Sequence, residues 1–343
     1  MTHQSDRRLE KLAAWLAGQL AQTGFSIQPA SADASFRRYF RVTADGTSYI
    51  AMDAPPDKED SHPFVRIAGY LNSMQVNAPR VLAENYADGF FLLTDLGDRH
   101  YLSVLNEDNA ADLYTDAMQA LLRIQSGGAQ YVAQLPPYDH ALLWREMELF
   151  RDWYLHRHLG LTLDNAQHDI LNRTWELLAQ NALQQPVVFV HRDYHSRNLM
   201  YVKNGGDNPG ILDFQDAVAG PLTYDLVSLL RDCYIKWPAA QLAGWTRYYY
   251  DQLLANRLVE DVSYAQFMRW FDLMGIQRHL KASGIFARLN YRDGKPGYLA
   301  DIPRTLGYIL DVAPAYSELH DFVSLLRQRV VPGLSGESVM EQA

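Results

Sequence analysis

The stretch VFVHRDYHSRNLM, residues 188–200, sets His191, Arg192, Asp193 and Asn198 directly after an apolar run. A buried strand ending in a polar turn would account for it. So would a loop that holds a base and a metal ligand. Asp193 can take a proton from an acceptor hydroxyl, and Asn198, five residues on, can offer a neutral oxygen to a hard cation. A third oxygen donor follows at Asp213, at the end of the apolar run in ILDFQD. Asn204, Gly205, Gly206 and Pro209 lie between and let the chain double back. Transfer of a terminal phosphoryl group needs these parts: metal ions on the donor phosphates, an in-line hydroxyl and a carboxylate for its proton.

The Asp193–Asn198 spacing matches the H-R-D-x-x-x-x-N loop of kinases. Alone it is a weak signal. It gains weight from its setting, which is apolar strand, loop, apolar strand, turn, apolar strand, Asp-Phe. His191 reads as a structural residue that holds the loop. Arg192 either pairs with an acid or is solvated. Asp225 falls inside the apolar helical pattern of LTYDLVSLL, so it needs partners. It is expected to brace the loop by accepting hydrogen bonds. Asp216 fits a second metal ligand or a turn residue.

The elements that must position these residues can be read along the chain. Leu9, Leu12, Leu16 and Leu20 predict a helix over 6–22. Phe36, Phe40 and Val42 fit a strand with Tyr39 and Arg41 on the other face, Asp45-Gly46 is a hairpin turn, and TSYIAMDA returns. Ser61 and Pro63 open a helix with Phe64, Ile67, Leu71 and Met74 on one face. Two strands flank Asp88-Gly89. After Gly97 helices predominate: 107–126, 141–160, 164–182, 221–236, 239–256, 263–288 and 316–330. Short strands interrupt near 187–190, 199–202 and 210–213. The expected architecture is α+β with two lobes. Residues 1–95 form a small antiparallel-sheet N-lobe that binds nucleotide. Residues 96–343 form a larger, mainly helical C-lobe for catalysis and substrate binding.

Composition bounds the rest. The chain has 343 residues, 48% apolar and 21% charged, with a net charge of −9. That balance argues against nucleic acid as a partner. A single cysteine, Cys233, excludes an intrachain disulfide and reads as a small core residue. The N-terminus shows no apolar leader, and no apolar run reaches about 18 residues. A cytoplasmic protein with no membrane association and no obligate protein partner is expected.

The segments VHRDYHSRNLM and GILDFQDAVAGPLTYDLVSLLRDCY resemble the two strongest motifs of the aminoglycoside phosphotransferase family, whose fold is protein-kinase-like. DASFRRYFRV, YIAMDAPP, LLTDLGD and LFRDWYL resemble one branch of it, the bacterial kinases of N-acetylmuramate and N-acetylglucosamine that act at C1. The likeness covers nearly the whole chain. It implies ATP and Mg2+ as cofactors, an amino sugar as substrate, and a sugar 1-phosphate for cell-wall recycling. It implies Asp193 as the base and Asn198 and Asp213 as magnesium ligands. Thr94, Asp95 and Leu96 would meet the adenine, and Ser35, Phe36, Arg37 and Arg38 would close over the phosphates.

Folds of this kind usually carry a Lys on the third strand paired with a Glu on the next helix. Here YIAMDAP has no Lys and the helix from Phe64 to Met74 no Glu. Arg37, Arg38 and Lys58 are the candidate replacement cations. Trp153, Tyr154, Tyr234 and Trp237 are candidate sugar-stacking rings. His195, Arg197, Arg231 and Arg278 are candidate partners of a lactyl carboxylate. Kinases of an aminoglycoside or a choline-like metabolite are alternatives, as is an inactive nucleotide-binding regulator.

Overall fold

The computed structural model describes residues 6–20, 24–32, 36–202 and 208–334. Ser35 and the turn residues 204–206 lie outside the described residues. In chain order the first elements are α1 (Arg7–Gln19), β1 (Ser26–Ala32), β2 (Arg38–Ala44), β3 (Thr47–Asp53), α2 (His62–Ser73), β4 (Val81–Asn85) and β5 (Phe90–Thr94). Next come α3 (Tyr101–Val104), α4 (Ala110–Gly127), α5 (His140–Leu149), α6 (Asn165–Leu183), β6 (Val187–Val190), β7 (Leu199–Met200), β8 (Gly210–Ile211) and β9 (Val218–Pro221). Then follow α7 (Tyr224–Leu230), α8 (Ala239–Ala255), α9 (Tyr264–Asp293), α10 (Ile302–Val312) and α11 (His320–Leu325). The chain divides into two compact units, Met1–Ala120 with Arg197–Asp216, and Leu121–Ser196 with Ala217–Ala343.

The first unit is built on an antiparallel sheet of order β1-β2-β3-β5-β4. Asp45 and Gly46 both adopt left-handed conformations, φ 47° and 75°, which suits the right-handed twist of the β2–β3 hairpin. Phe40 and Val42 face a core with Leu12, Leu16, Ala51, Phe90 and Leu92. Their neighbours Tyr39 and Arg41 therefore point to the opposite face. Residues 26–32 carry no clear alternation and contain Pro29, yet form β1. Its place at the sheet edge tolerates the missing N–H. Phe36 lies outside β2 and is 63% exposed. Ser61 makes no side-chain cap for α2. Instead Asp60 accepts from the His62 amide at 3.0 Å. The β7–β8 hairpin is tied to the same unit, because Ile211 N donates to Asn77 O at 2.7 Å and Tyr201 N to Arg99 O at 2.8 Å.

In the second unit α9 runs 30 residues and is buried along most of its length. Gly284 lets it pass the end of α5, since a Cβ there would lie 2.3 Å from the Leu149 carbonyl carbon. The expected helix over 141–160 is α5 followed by a π-helical stretch, Phe150–His158. The expected helix over 221–236 is only α7. The chain leaves helical geometry at Arg231, and Asp232 accepts from the Tyr234 amide at 2.9 Å, which competes with the helical ladder. Just before α7, β9 pairs with β6; β9 and helix α10 are absent from the sequence reading, whereas β6 is the strand expected near 187–190. Among the described residues no helix is long and apolar enough to cross a membrane.

Candidate active site

The second unit carries the 191–196 loop. After β6 the chain turns through Arg192, whose φ of 79° lies in the left-handed region. A non-glycine residue there costs of order 1–3 kcal/mol and needs support. Asp225 of α7 supplies it, because its Oδ2 accepts from His191 N at 2.6 Å and its Oδ1 from Arg192 N at 2.9 Å. Burial pushes the Asp225 carboxyl up to about 7, and the Asp193 charge adds to the shift against the two backbone bonds. The Arg192 side chain donates to Glu146 Oε1 at 2.5 Å. The same carboxylate meets Lys281 at 3.1 Å and accepts from the Tyr138 hydroxyl. Asp232 accepts from Ser196 N at 2.9 Å and so fixes the far end of the loop.

Asp193 sits between these anchors. Its carbonyl accepts from the His195 amide at 3.1 Å, and its own amide donates to His191 Nδ1 at 3.2 Å. Burial opposes a charge on its carboxyl. Lys281, His195, Arg278 and Arg192 outweigh that and hold it below the usual carboxylate range. The result is an ionised carboxylate, able to accept a proton.

The first unit contains a cavity of about 710 Å³, a size that suits a small ligand. One wall is the sheet face of Tyr39, Arg41 and Ile50. The connector Thr94–Asp98 forms a second, and Asn198 with Asp213 a third. The connector is clamped. Arg41 reaches Asp95 with Nε at 2.6 Å and Nη2 at 3.1 Å, and also donates to Gly97 O at 2.8 Å. Ser48 Oγ and the Gly97 amide donate to the same carboxylate at 2.5 and 2.9 Å. Burial raises Asp95, but these bonds outweigh it and leave the group below its ordinary value. Gly97 has a φ of 95°, which favours glycine at this turn.

Asn198 and Asp213 flank the β7–β8 hairpin, which pairs Leu199 with Ile211. Leu212 N donates to Asn198 O at 2.9 Å, and Asn198 Nδ2 lies 3.3 Å from Asp213 Oδ2. Asp213 has a φ of 62° and accepts from Gln215 Nε2 at 2.7 Å. Among the described residues no cluster of three or more His, Cys, Asp or Glu could hold a metal. One carboxylate and one amide oxygen fit Mg2+, which keeps several waters and takes phosphate oxygens as further ligands.

Residues 26–258 match the model of the phosphotransferase enzyme family, more than half of the chain. The chain belongs to this family. Its relatives include a protein of Pseudomonas putida named N-acetylmuramate/N-acetylglucosamine kinase, 46% identical over 94% of this chain and 97% of the relative. A Pseudomonas aeruginosa protein of the same name is 43% identical over 94% and 96%. Among solved structures, a choline kinase from Cryptosporidium parvum aligns with a TM-score of 0.61 at 11% identity, covering 92% of this chain and 99% of that one. This last likeness bears on the fold, which is the two-lobed kinase-like α+β fold.

In this phosphotransferase, Thr94, Asp95, Leu96, Arg197, Asn198 and Asp213 share the one cavity. Phe36, Arg37 and Arg38 do not line it. Buried Arg37 pairs with Glu59 at 3.2 Å, and Glu59 also accepts the Phe36 amide at 2.9 Å. Arg38 and Arg8 both bind the fully buried Asp53, and Arg38 also reaches Asp6. Lys58 is exposed and faces Asp57 at 3.8 Å. Tyr154 is fully buried and stacks on Phe150, whereas Trp153 is half-buried. Tyr234 meets His195 edge to face at 5.3 Å. Arg231 pairs with Asp272 at 2.5 Å, and Trp237 packs on Trp245. Asp216 is exposed.

Arg41, Glu146, Asp232 and Lys281 are absent from the sequence-based candidates. The period-two pattern of β2 does carry a signal for Arg41, since it puts Arg41 and Tyr39 on the face away from the core. Glu146 and Lys281 act through partners far away in sequence, as Asp232 does through Ser196, and no local pattern marks them.

Proposed function

We propose that the protein is an ATP-dependent kinase that phosphorylates the anomeric hydroxyl of N-acetylmuramate and N-acetylglucosamine, giving sugar 1-phosphates for reuse of cell-wall sugars. On this reading residues 1–95 form the nucleotide lobe and residues 96–343 the catalytic and substrate lobe. The observation that carries the chemistry is the single cavity that brings the clamped connector together with Asn198 and Asp213. The connector backbone at Thr94–Leu96 would take the adenine edge. Asn198 and Asp213 would hold magnesium, which supplies charge neutralisation on the donor phosphates. The names of the near-full-length relatives supply the sugar.

Asp193 would take the proton of the attacking hydroxyl. An anomeric hydroxyl is more acidic than an ordinary alcohol, so a carboxylate held below the usual range suffices as base. The cations around it, Arg192, His195, Arg278 and Lys281, favour a neutral or anionic acceptor over a polycationic drug. The Arg37–Glu59 pair joins the entry of β2 to the approach of α2, so it is the candidate substitute for the Lys–Glu pair this chain lacks. His195 and Tyr234 form one edge of the sugar site. The test is a panel of amino sugars, aminoglycosides and choline-like alcohols with ATP and magnesium, the phosphorylated position being read by phosphorus NMR. Turnover of the two amino sugars at C1 is expected. Phosphorylation only at another hydroxyl, or only of a cationic alcohol, would overturn it.

A further inference from the structure

The cations buried near the 191–196 loop divide by how they are compensated. Arg192 and Lys281 share Glu146, and Lys281 also donates to the Tyr224 hydroxyl at 3.0 Å. Arg231 is paired with Asp272, and its guanidinium lies 4.4 Å from the centre of the Phe271 ring. Arg278 of α9 differs. It is 6% exposed, and among the described residues it makes no ion pair. Its hydrogen bond is Nη1 to the sulfur of Cys233 at 3.5 Å, a weak acceptor. Asp193 and Asp232 lie close enough to interact with its charge without pairing with it. Asp232 is already engaged by the Ser196 and Tyr234 amides, both at 2.9 Å.

A guanidinium stays charged in proteins, and a buried charge without a partner is costly. Lys281 shows what full compensation looks like one helical turn away on the same helix. Arg278 instead keeps donor capacity beside the loop that bears Asp193. The planar fork of arginine matches a carboxylate in bidentate geometry.

We propose that Arg278 is the anchor for a carboxylate on the sugar, the lactyl carboxylate of N-acetylmuramate, and that it sets the preference between this acid and neutral N-acetylglucosamine. The inference rests on the amino-sugar reading above. Of the four groups open to this role in the sequence, Arg197 lines the cavity of the first unit, His195 packs edge to face on Tyr234, Arg231 is already neutralised by Asp272, and Arg278 has no carboxylate of the second unit at ion-pair distance.

The experiment compares kcat/KM for N-acetylmuramate, its neutral and nearly isosteric lactyl amide, and N-acetylglucosamine, at fixed ATP and magnesium. It uses the parent protein, Arg278→Gln and Arg278→Lys. Removing one partner of a buried charge pair typically costs 2–5 kcal/mol, so the parent should favour acid over amide by about 30-fold or more. Arg278→Gln should bring that ratio close to one, chiefly through KM, and Arg278→Lys should keep part of it. Equal use of acid and amide by the parent overturns the anchor, and this holds even if the glutamine variant fails to fold. Equal losses on acid and on N-acetylglucosamine in Arg278→Gln also overturn it, because they mark an effect through Asp193 or the fold and not on the sugar carboxylate. Turnover of N-acetylglucosamine with no discrimination by charge refutes the anchor alone. No turnover of any of the three sugars refutes the amino-sugar reading as well.

Discussion

Asp213 combines a left-handed backbone, an exposed carboxylate and a neighbouring amide at Asn198. Under the proposed function, that conformation serves a metal ligand rather than packing. Asp213→Asn keeps the shape but removes the charge. It is expected to lose most activity and to need more magnesium, as read by a magnesium titration of turnover. Near-parental turnover at ordinary magnesium would remove Asp213 from the metal site. Arg37 belongs to the same scale. Arg37→Ala should raise KM for ATP more than KM for sugar, and also frees Glu59 from its cation. An unchanged KM for ATP would mean that another group grips the phosphates. The spacing of Asp193, Asn198 and Asp213 was legible because all three lie on one short run of chain. Glu146 was not legible, since its partner Arg192 is 46 residues away.

At the scale of elements, α7 acts as the brace of the 191–196 loop. Asp225 is fully buried and holds two backbone amides, with its carboxyl pushed up to about 7 by burial. In the unfolded chain an aspartate releases its proton near pH 3.9. Between these values the folded state binds more protons, so this group's contribution to stability falls as pH rises from about 4 to 7, by about 1.4 kcal/mol per unit. His279, held neutral down to about 3 by burial, acts in the opposite direction: its contribution falls as pH drops from 6.5 towards 3. Asp225→Asn removes only the first slope. Urea unfolding across this range should show a larger gap between parent and variant at pH 4.5 than at pH 7.5. Parallel curves would contradict the buried, protonatable brace. Elements with strong periodicity, such as α1, α6 and the β2–β3 hairpin, were legible in sequence. So was α10 in principle, since Ile302, Leu306 and Ile309 recur at helical spacing. In contrast, β9 and β1 are short or proline-bearing strands defined by the partner they pair with, and the π-helical continuation of α5 has no period of its own.

At the scale of the whole molecule, the chain divides into two compact units. The β7–β8 hairpin groups with the first unit although it stands far along the sequence. Sequence order carries no trace of that grouping, which depends on backbone bonds to Asn77 and Arg99. If the cavity of the first unit takes ATP with magnesium, the ligand must stabilise the native chain by mass action. At a hundredfold excess over Kd the gain is about 2.7 kcal/mol. A concentration-dependent rise in Tm is the expected result, and a Tm unmoved by ATP and magnesium would contradict the assignment of the cavity.

The central claim is that Asp193 is the base of phosphoryl transfer to an amino sugar. Asp193→Asn preserves the size of the side chain, and its amide cannot take the proton. A positioned base contributes roughly 10²–10⁴-fold, so kcat should fall by that factor. ATP affinity, measured by titration on the same variant, should stay close to the parent's. A fall in kcat of less than about tenfold, equivalent to under about 1.4 kcal/mol of barrier, would contradict the claim. So would a loss of ATP affinity that accompanies the fall in kcat, because Asp193 would then belong to the nucleotide or metal site.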